Sequence, residues 1–423
     1  MKKTTNLLSL EQAQTLALES QGLLQPIHSL NSKGKEATLA IIERLGYVQI
    51  DTLSVIARAH HHTLWSRLPD YNEKILNELL EKDKAIFEYW SHAASYLPMC
   101  DYRFSLPRKK SYADGKSHWF GQDKKMNKYV LERIKAEGPL QSKDFEFKRE
   151  GPGNWYEWKP AKRALEQLFM EGKLMVSRRI GFQKVYDLTE RVLPADIDRS
   201  FPSEKETADH LIKKAIYAHG LIHENEIAYL RSGLKANINK ALNQMAKEGE
   251  LDEVKVEGIE KPYFIMQPKQ LKSIVQELFP TKKTKTKNTL HFLSPFDNAL
   301  IQRKRVQELF NFEYMIECYL PEAKRKYGYF SVPVLFGNKF VARFDPKTDR
   351  ASKTFYIKSL HFEKGFKPDE IFNSSFASKL NDFAFFNGCK TIVIEKTEKS
   401  WKKEVTELLQ TSTKVKRADM QEK

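Results

Sequence analysis

The sequence predicts a mostly α chain with β wings, an α+β protein of tandem winged-helix domains followed by a β-rich C-terminal region. Two central segments repeat one pattern: MNKYVLERIKAEGPL through WKPAKRALEQLFMEGKLMVSRRIGFQKVYDL, and TADHLIKKAIYAHGLI through LKANINKALNQMAKEGELDEVKVEGIEKPYFIM. Each gives an amphipathic helix, a break at Gly138 or Gly220, more helix ending at Glu171-Gly172 or Glu248-Gly249, and a β-like pair. That is the helix, helix, helix, wing order. A polar basic stretch, Phe279–Asn288, then leads to Tyr314–Phe362, where aromatic and β-branched residues alternate as in strands.

Along the chain, helices are expected at Leu10–Ser20 and Lys35–Leu45, leading into a short strand, so residues 1–100 can form a further winged-helix-like domain. Tyr71–Tyr96 reads as additional helix. Pro98–Gly121, with Arg108-Lys109-Lys110 and His118-Trp119-Phe120, reads as a basic aromatic loop. The two repeats define domains at 101–195 and 196–280, whose helices Lys159–Met170 and Lys235–Lys247 take the recognition position. A winged helix that docks on protein uses the same pattern. Residues 289–423 should be β-rich, with a helix near Asp369–Phe386, a strand at Thr391–Glu395 and a frayed end beyond Ser412.

Composition narrows the function classes. A chain of 423 residues, 41% hydrophobic, can bury several cores. Lys and Arg outnumber Asp and Glu by 71 to 55, so a polyanion is an expected partner. Half of the surplus lies in Asp101–Ile180, which favours a charged surface, and Arg178 and Arg179 are assigned to it as DNA contacts. Cys100, Cys318 and Cys389 are odd in number and far apart, which indicates neither a disulfide framework nor a zinc knuckle but buried, inert thiols. The N-terminal stretch has only a short apolar patch, so a cytoplasmic protein with no membrane partner is expected.

The most informative stretch is Gly46–Leu68, GYVQIDTLSVIARAHHHTLWSRL. Gln49 and Asp51, two apart on a short strand, would share one face while Val48 and Ile50 point the other way. An amide that orients water beside a carboxylate that takes its proton or steadies a cation is a hydrolytic pair. Alternatively, Asp51 is the N-cap of a helix beginning near Thr52. His60, His61 and His62 diverge by about 100° per residue on a helix and cannot jointly hold one ion, so no metal or cofactor is expected; His60 is the candidate to reach the site or a phosphate. The clusters Gln302-Arg303-Lys304-Arg305 and Lys324-Arg325-Lys326-Tyr327 offer phosphate neutralisation and, with Tyr327 and Tyr329, stacking; a solvated helix face is the other reading of each. Trp65, Trp119, Trp155 and Trp158 are expected in cores.

The wording VQIDTLSVIARAHHHTLWSRL, with EYWSHAASYLPM at Glu88–Met99, SPFDNALIQRKR at Ser294–Arg305, ECYLPEAKRKYGYFSVPVLFG at Glu317–Gly337 and FDPKTDR at Phe344–Arg350, resembles the YcaQ/AlkZ-like winged-helix DNA glycosylases across most of the chain. That resemblance implies three winged helices around a basic concave surface and a catalytic triplet in its Gln-apolar-Asp version, which is Gln49-Ile50-Asp51 here. It further implies a monomeric, monofunctional glycosylase acting on double-stranded DNA with N7-alkylated guanines, interstrand crosslinks included. DNA contacts are then expected from Arg303, Lys304, Arg305, Lys324, Arg325, Lys326, Arg178, Arg179 and His60. The alternative is a non-enzymatic winged-helix DNA-binding transcriptional regulator, which would have no use for the Gln-Asp pair.

Overall fold

The computed structural model describes residues 6–24, 34–115, 121–145, 160–231, 233–266 and 289–421. The Phe279–Asn288 linker, His118-Trp119-Phe120, Trp155 and Trp158 lie outside the described residues. The chain divides into two compact units, one of Met1–Lys33, Val48–Tyr71 and Leu211–Lys423, the other of Gly34–Tyr47 and Asn72–His210. Residues 1–100 are shared between the two.

In the smaller unit a winged helix is plain. Helix Lys124–Glu137 starts where the Asp123 side chain accepts the Met126 amide, and stops at Gly138. Strand Leu140–Gln141, helix Pro160–Met170, and strands Leu174–Ile180 and Gln183–Leu188 follow, the last strand lying antiparallel between the other two. Most of Pro160–Met170 is buried, with Lys162 exposed and Arg163 half-buried near its N-terminal end. This helix supplies core along most of its length and leaves only its first turn for a groove.

Two expectations need correction in this unit. Tyr71–Tyr96 is not all helix: after Glu73–Glu81 the chain forms an antiparallel hairpin of Ile86–Trp90 and Ala94–Pro98. Ile86, Phe87, Glu88 and Tyr89 are all buried, and a strand covered on both faces lacks the alternation that separates it from a helix. Nor is the Pro98–Gly121 stretch a loop over its first part, because Met99–Ser105 is a 3-10 helix that runs into helix Leu106–Ala113, with Pro107 in the first turn where its missing N–H costs nothing. Lys109 turns inward there, its Nζ 3.9 Å from the Tyr102 ring centre and 4.9 Å from that of Tyr89.

The larger unit holds the second winged helix: a helix ending at His219, strand Leu221–Ile222, helices Glu224–Ile227 and Lys235–Glu248, and wing strands Leu251–Val256 and Ile259–Met266. Ile238, Ala241, Leu242 and Met245 form the buried stripe of the Lys235–Glu248 helix and leave Lys235, Lys240 and Lys247 exposed. Gly220 has φ 74°, and a Cβ there would stand 2.5 Å from Ser20 Oγ and 2.7 Å from the Leu16 carbonyl, so the helix Leu10–Ser20 packs onto bare backbone. That helix opens with a capping box between Ser9 and Gln12 and buries Ala13 and Ala17 against Val254, Val256 and Tyr263.

The C-terminal region is a five-stranded sheet in chain order: Leu290–Phe292, Val332–Phe336, Lys339–Asp349, Thr354–Phe362 and Thr391–Lys396. The first four strands pair antiparallel. The last pairs parallel, which requires a crossover, and helix Glu370–Phe386 provides it. Phe292, Phe344, Phe376 and Phe383 meet edge to face beneath it. Helix Lys399–Gln421 continues past Ser412, where a frayed end was expected. Of the thiols, Cys389 is buried, Cys318 half-buried, and Cys100 exposed rather than buried.

Candidate active site

The segment around Gln49 and Asp51 belongs wholly to the larger unit. Strand Val48–Gln49 is short because Asp51 leaves it, and no helix begins near Thr52: residues 50–58 form a loop and the next helix is Ala59–Trp65. Asp51 therefore caps no helix. Its Oδ1 accepts the Leu53 amide at 2.8 Å, closing a turn of the kind aspartate favours. Gln49 is buried and Asp51 half-buried. Burial pushes the Asp51 carboxyl above its ordinary 3.8, against the pull of the Leu53 and Thr52 amides and the Arg58 charge.

The loop is stapled at four points. The Val55 carbonyl accepts from Thr348 N at 3.1 Å and Thr348 Oγ1 at 2.9 Å, the Ser54 carbonyl from Arg350 at 3.0 Å, and Asn387 Oδ1 from the Ala57 amide at 2.6 Å. Arg58 donates to the Thr52 carbonyl at 2.8 Å. Backbone fixed on a sheet edge in this way holds a carboxylate in one place without helical structure around it.

Behind the loop, the histidines are structural. His60 is 2% exposed, which corrects its assignment to phosphate. His62 donates from Nε2 to the Phe292 carbonyl at 2.9 Å and packs on Phe383, and burial lowers it to about 4. His61 meets the Tyr71 hydroxyl at 2.8 Å. Trp65 is buried as expected, stacked on Phe386. No group of three or more His, Cys, Asp or Glu side chains among the described residues could hold a metal ion.

Two devices were not anticipated. Arg67, just past this helix, is fully buried with Asp297 of the SPFDN segment, paired at 2.7 and 2.9 Å. Its remaining donors reach Gln21 O, Gln21 Oε1, Thr63 O and Ser66 Oγ. Both residues lie in segments that carry the family resemblance, but nothing in the sequence pairs them. Glu317 and Asp345, in turn, brace one loop: Glu317 accepts the Tyr327 and Gly328 amides at 2.8 and 3.2 Å, and Asp345 accepts those of Tyr329 and Phe330 at 3.0 and 2.7 Å. Gly328 has φ 127°, and a Cβ there would fall 2.3 Å from the Asp345 carboxylate, so this Lys-Tyr-Gly-Tyr turn tolerates only glycine. The Asp51 charge reaches the neighbouring Cys318 thiol and Tyr319 hydroxyl, both of which burial and then nearby negative groups push up.

The basic clusters divide. Lys304, Lys324 and Lys326 are exposed, and Arg178 is partly so. Arg303 instead donates to the Leu300 and Pro295 carbonyls at 2.6 and 2.5 Å and lies over the Tyr314 ring. Arg305 is 6% exposed and pairs with Glu226 at 2.7 Å; Arg179, equally buried, grips both oxygens of Glu88 at 2.5 and 2.7 Å. These three were expected on DNA. They are taken up inside the fold, because a charged run on a packed element turns some of its side chains inward, where they need partners. Arg325 is intermediate, donating to the Leu320 carbonyl at 3.0 Å with its guanidinium over the Tyr329 ring.

The sequence model of the AlkZ-like DNA glycosylases matches residues 42–386. The chain belongs to that family. The AlkZ-like match begins just before Gln49 and ends at residue 386, so it takes in the 50–58 loop with its Thr348 and Arg350 staples and stops one residue short of Asn387. Among solved structures, the DNA glycosylase AlkZ of Streptomyces sahachiroi is similar, at a TM-score of 0.58 and 15% identity over 91% of this chain and 99% of that one. The likeness is one of fold. As an AlkZ-like protein, the chain is a DNA glycosylase, and its substrate is DNA. No helix among the described residues is long and apolar enough to cross a membrane.

Proposed function

We propose that Gln49 and Asp51 hydrolyse the N-glycosidic bond of N7-alkylated guanine in duplex DNA, crosslinked guanines included. The observation that carries this reading is a half-buried carboxylate held on a stapled loop, next to a buried amide two residues away. Alkylation at N7 leaves the purine cationic and a good leaving group. The enzyme then needs chiefly to steady positive charge growing on the deoxyribose and to place a water against it. Asp51 supplies the negative charge and accepts the water's proton, and Gln49 orients the water. A water nucleophile makes the enzyme monofunctional: the product is an abasic site, the strand stays intact until alkali is added, and borohydride traps no protein–DNA adduct. A crosslinked base cannot swing freely into a closed pocket, so attack takes place at a site open to the duplex.

The test is excision from duplex DNA carrying one 7-methylguanine, developed with alkali. Asp51→Asn keeps the side chain's size and its acceptor for the Leu53 amide while removing the charge. Excision should fall by ~10²-fold or more with DNA affinity and melting temperature retained. Full activity in the folded variant would remove Asp51 from the chemistry. Gln49→Ala should be slower than the parent but active, since a loosely held water still attacks a weakened bond. Exposed Lys304, Lys324 and Lys326, with Arg178 and Arg325, are the phosphate contacts in this reading.

A further inference from the structure

The loop that follows Asp51 forms one wall of a pocket of about 870 Å³, lined by Ser54, Val55, Arg325, Tyr329, Lys347 and Lys396 among others. That volume suits a ligand of nucleotide size. Its walls are fixed: Val55 by Thr348, Ser54 by Arg350, and the Tyr329 backbone by Asp345. Tyr329 is 37% exposed and has the Arg325 guanidinium 5.0 Å from its ring centre, which gives an aromatic face backed by a cation. Lys347 and Lys396 are exposed at the pocket. Of the acidic groups there, Asp345 is occupied by the Tyr329 and Phe330 amides and Glu395 by Lys358 at 2.6 Å, leaving Glu322 to oppose the cations.

We propose that this pocket holds a nucleotide flanking the lesion, its base against Tyr329 and its phosphate between Arg325, Lys347 and Lys396. An aromatic face takes any base by stacking, and the surrounding cations take the phosphate. Three residues of chain reach at most about 11 Å, so Ser54 lies within about three base steps of Asp51. The occupant is therefore a near neighbour of the attacked nucleotide. The assignment rests on the reading that Asp51 faces the reacting sugar.

A duplex carrying 2′-fluoro-7-methylguanosine, whose glycosidic bond resists cleavage because fluorine destabilises the oxocarbenium ion, allows binding to be read without turnover. 2-Aminopurine placed one, two or three nucleotides to either side should brighten on binding at one position when its base leaves the helical stack. Tyr329→Phe should keep that signal and Tyr329→Ala should lose it. Lys347→Glu with Lys396→Glu should weaken Kd at least tenfold and make log Kd less steep in log salt by about two. Dark 2-aminopurine at all six positions, or an unchanged Kd and salt slope in the double variant, overturns the proposal. Because nothing is cleaved, these results stand apart from the Asp51→Asn excision assay, and either reading can fail without the other.

Discussion

Asp51 shows how little sequence distinguishes a catalytic carboxylate from a capping one, since either role suits an Asp that follows a short strand. The loop removes the capping role: with the helix delayed to Ala59, the side chain instead accepts the Leu53 amide. Burial raises its pKa above 3.8, so the carboxylate is lost as pH falls through that raised value. The acid limb of single-turnover excision should accordingly sit above the ordinary aspartate range and vanish from the residual activity of Asp51→Asn. A limb at 3.8 or below would mean the group is solvated in the complex. The two-residue period expected to put Gln49 and Asp51 on one face does not reach Asp51, because the strand ends at Gln49 and Asp51 stands on the loop. The burial of Arg179, Arg303 and Arg305 was not legible either, because their partners Glu88, Pro295 and Glu226 give no sign in sequence of where they lie.

Among the elements, the Arg67–Asp297 pair ties the helix after the loop to the SPFDN turn. Breaking such a pair leaves a buried charge unopposed, and Asp297→Ala should cost about 3–5 kcal/mol, read as a large drop in denaturation midpoint. Replacing both partners by apolar residues, Arg67→Met with Asp297→Leu, should recover much of that loss. A double variant no better than the single one would show that Gln21, Thr63 and Ser66 need the guanidinium as much as Asp297 does. Elements whose ends carry caps and glycines were readable: Leu10–Ser20, Lys35–Leu45 and the two winged-helix repeats fall where their apolar spacing puts them. The hairpin Ile86–Trp90 with Ala94–Pro98 was not, since burial of both faces erases its period and the Ser-His-Ala connection contains no Gly, Pro or Asn.

At the scale of the molecule, a net charge of +16 suits a DNA-binding enzyme. Replacing exposed Lys324 and Lys326 by Ala should make the salt dependence of DNA binding shallower by about two. The same charge works against the fold in acid, but three buried histidines act there by a separate route. Burial lowers His62 to about 4 and both His219 and His291 to about 3, with Lys379 and Arg67 also acting against charge on His62 and His291, and Arg305 on His219. Each is hydrogen-bonded as a neutral ring: His62 to the Phe292 carbonyl, His291 to the Ser66 carbonyl, and His219 through its Nδ1 to the Gln21 amide. Above pH 6.5 neither folded nor unfolded chain protonates them, so they add no pH dependence. Below it the unfolded chain takes up protons that the folded one refuses, and stability falls as pH falls, by at most about 4 kcal/mol per pH unit for three groups. Melting temperature should therefore drop steeply between pH 6.5 and 4. Added salt screens surface repulsion but leaves this slope in place, because the rings are out of reach of ions. His291→Gln, which keeps a donor for the Ser66 carbonyl, should remove about one proton's share. A melting temperature that stays level from pH 6.5 to 4 at high salt would mean that these rings gain protons in the folded protein.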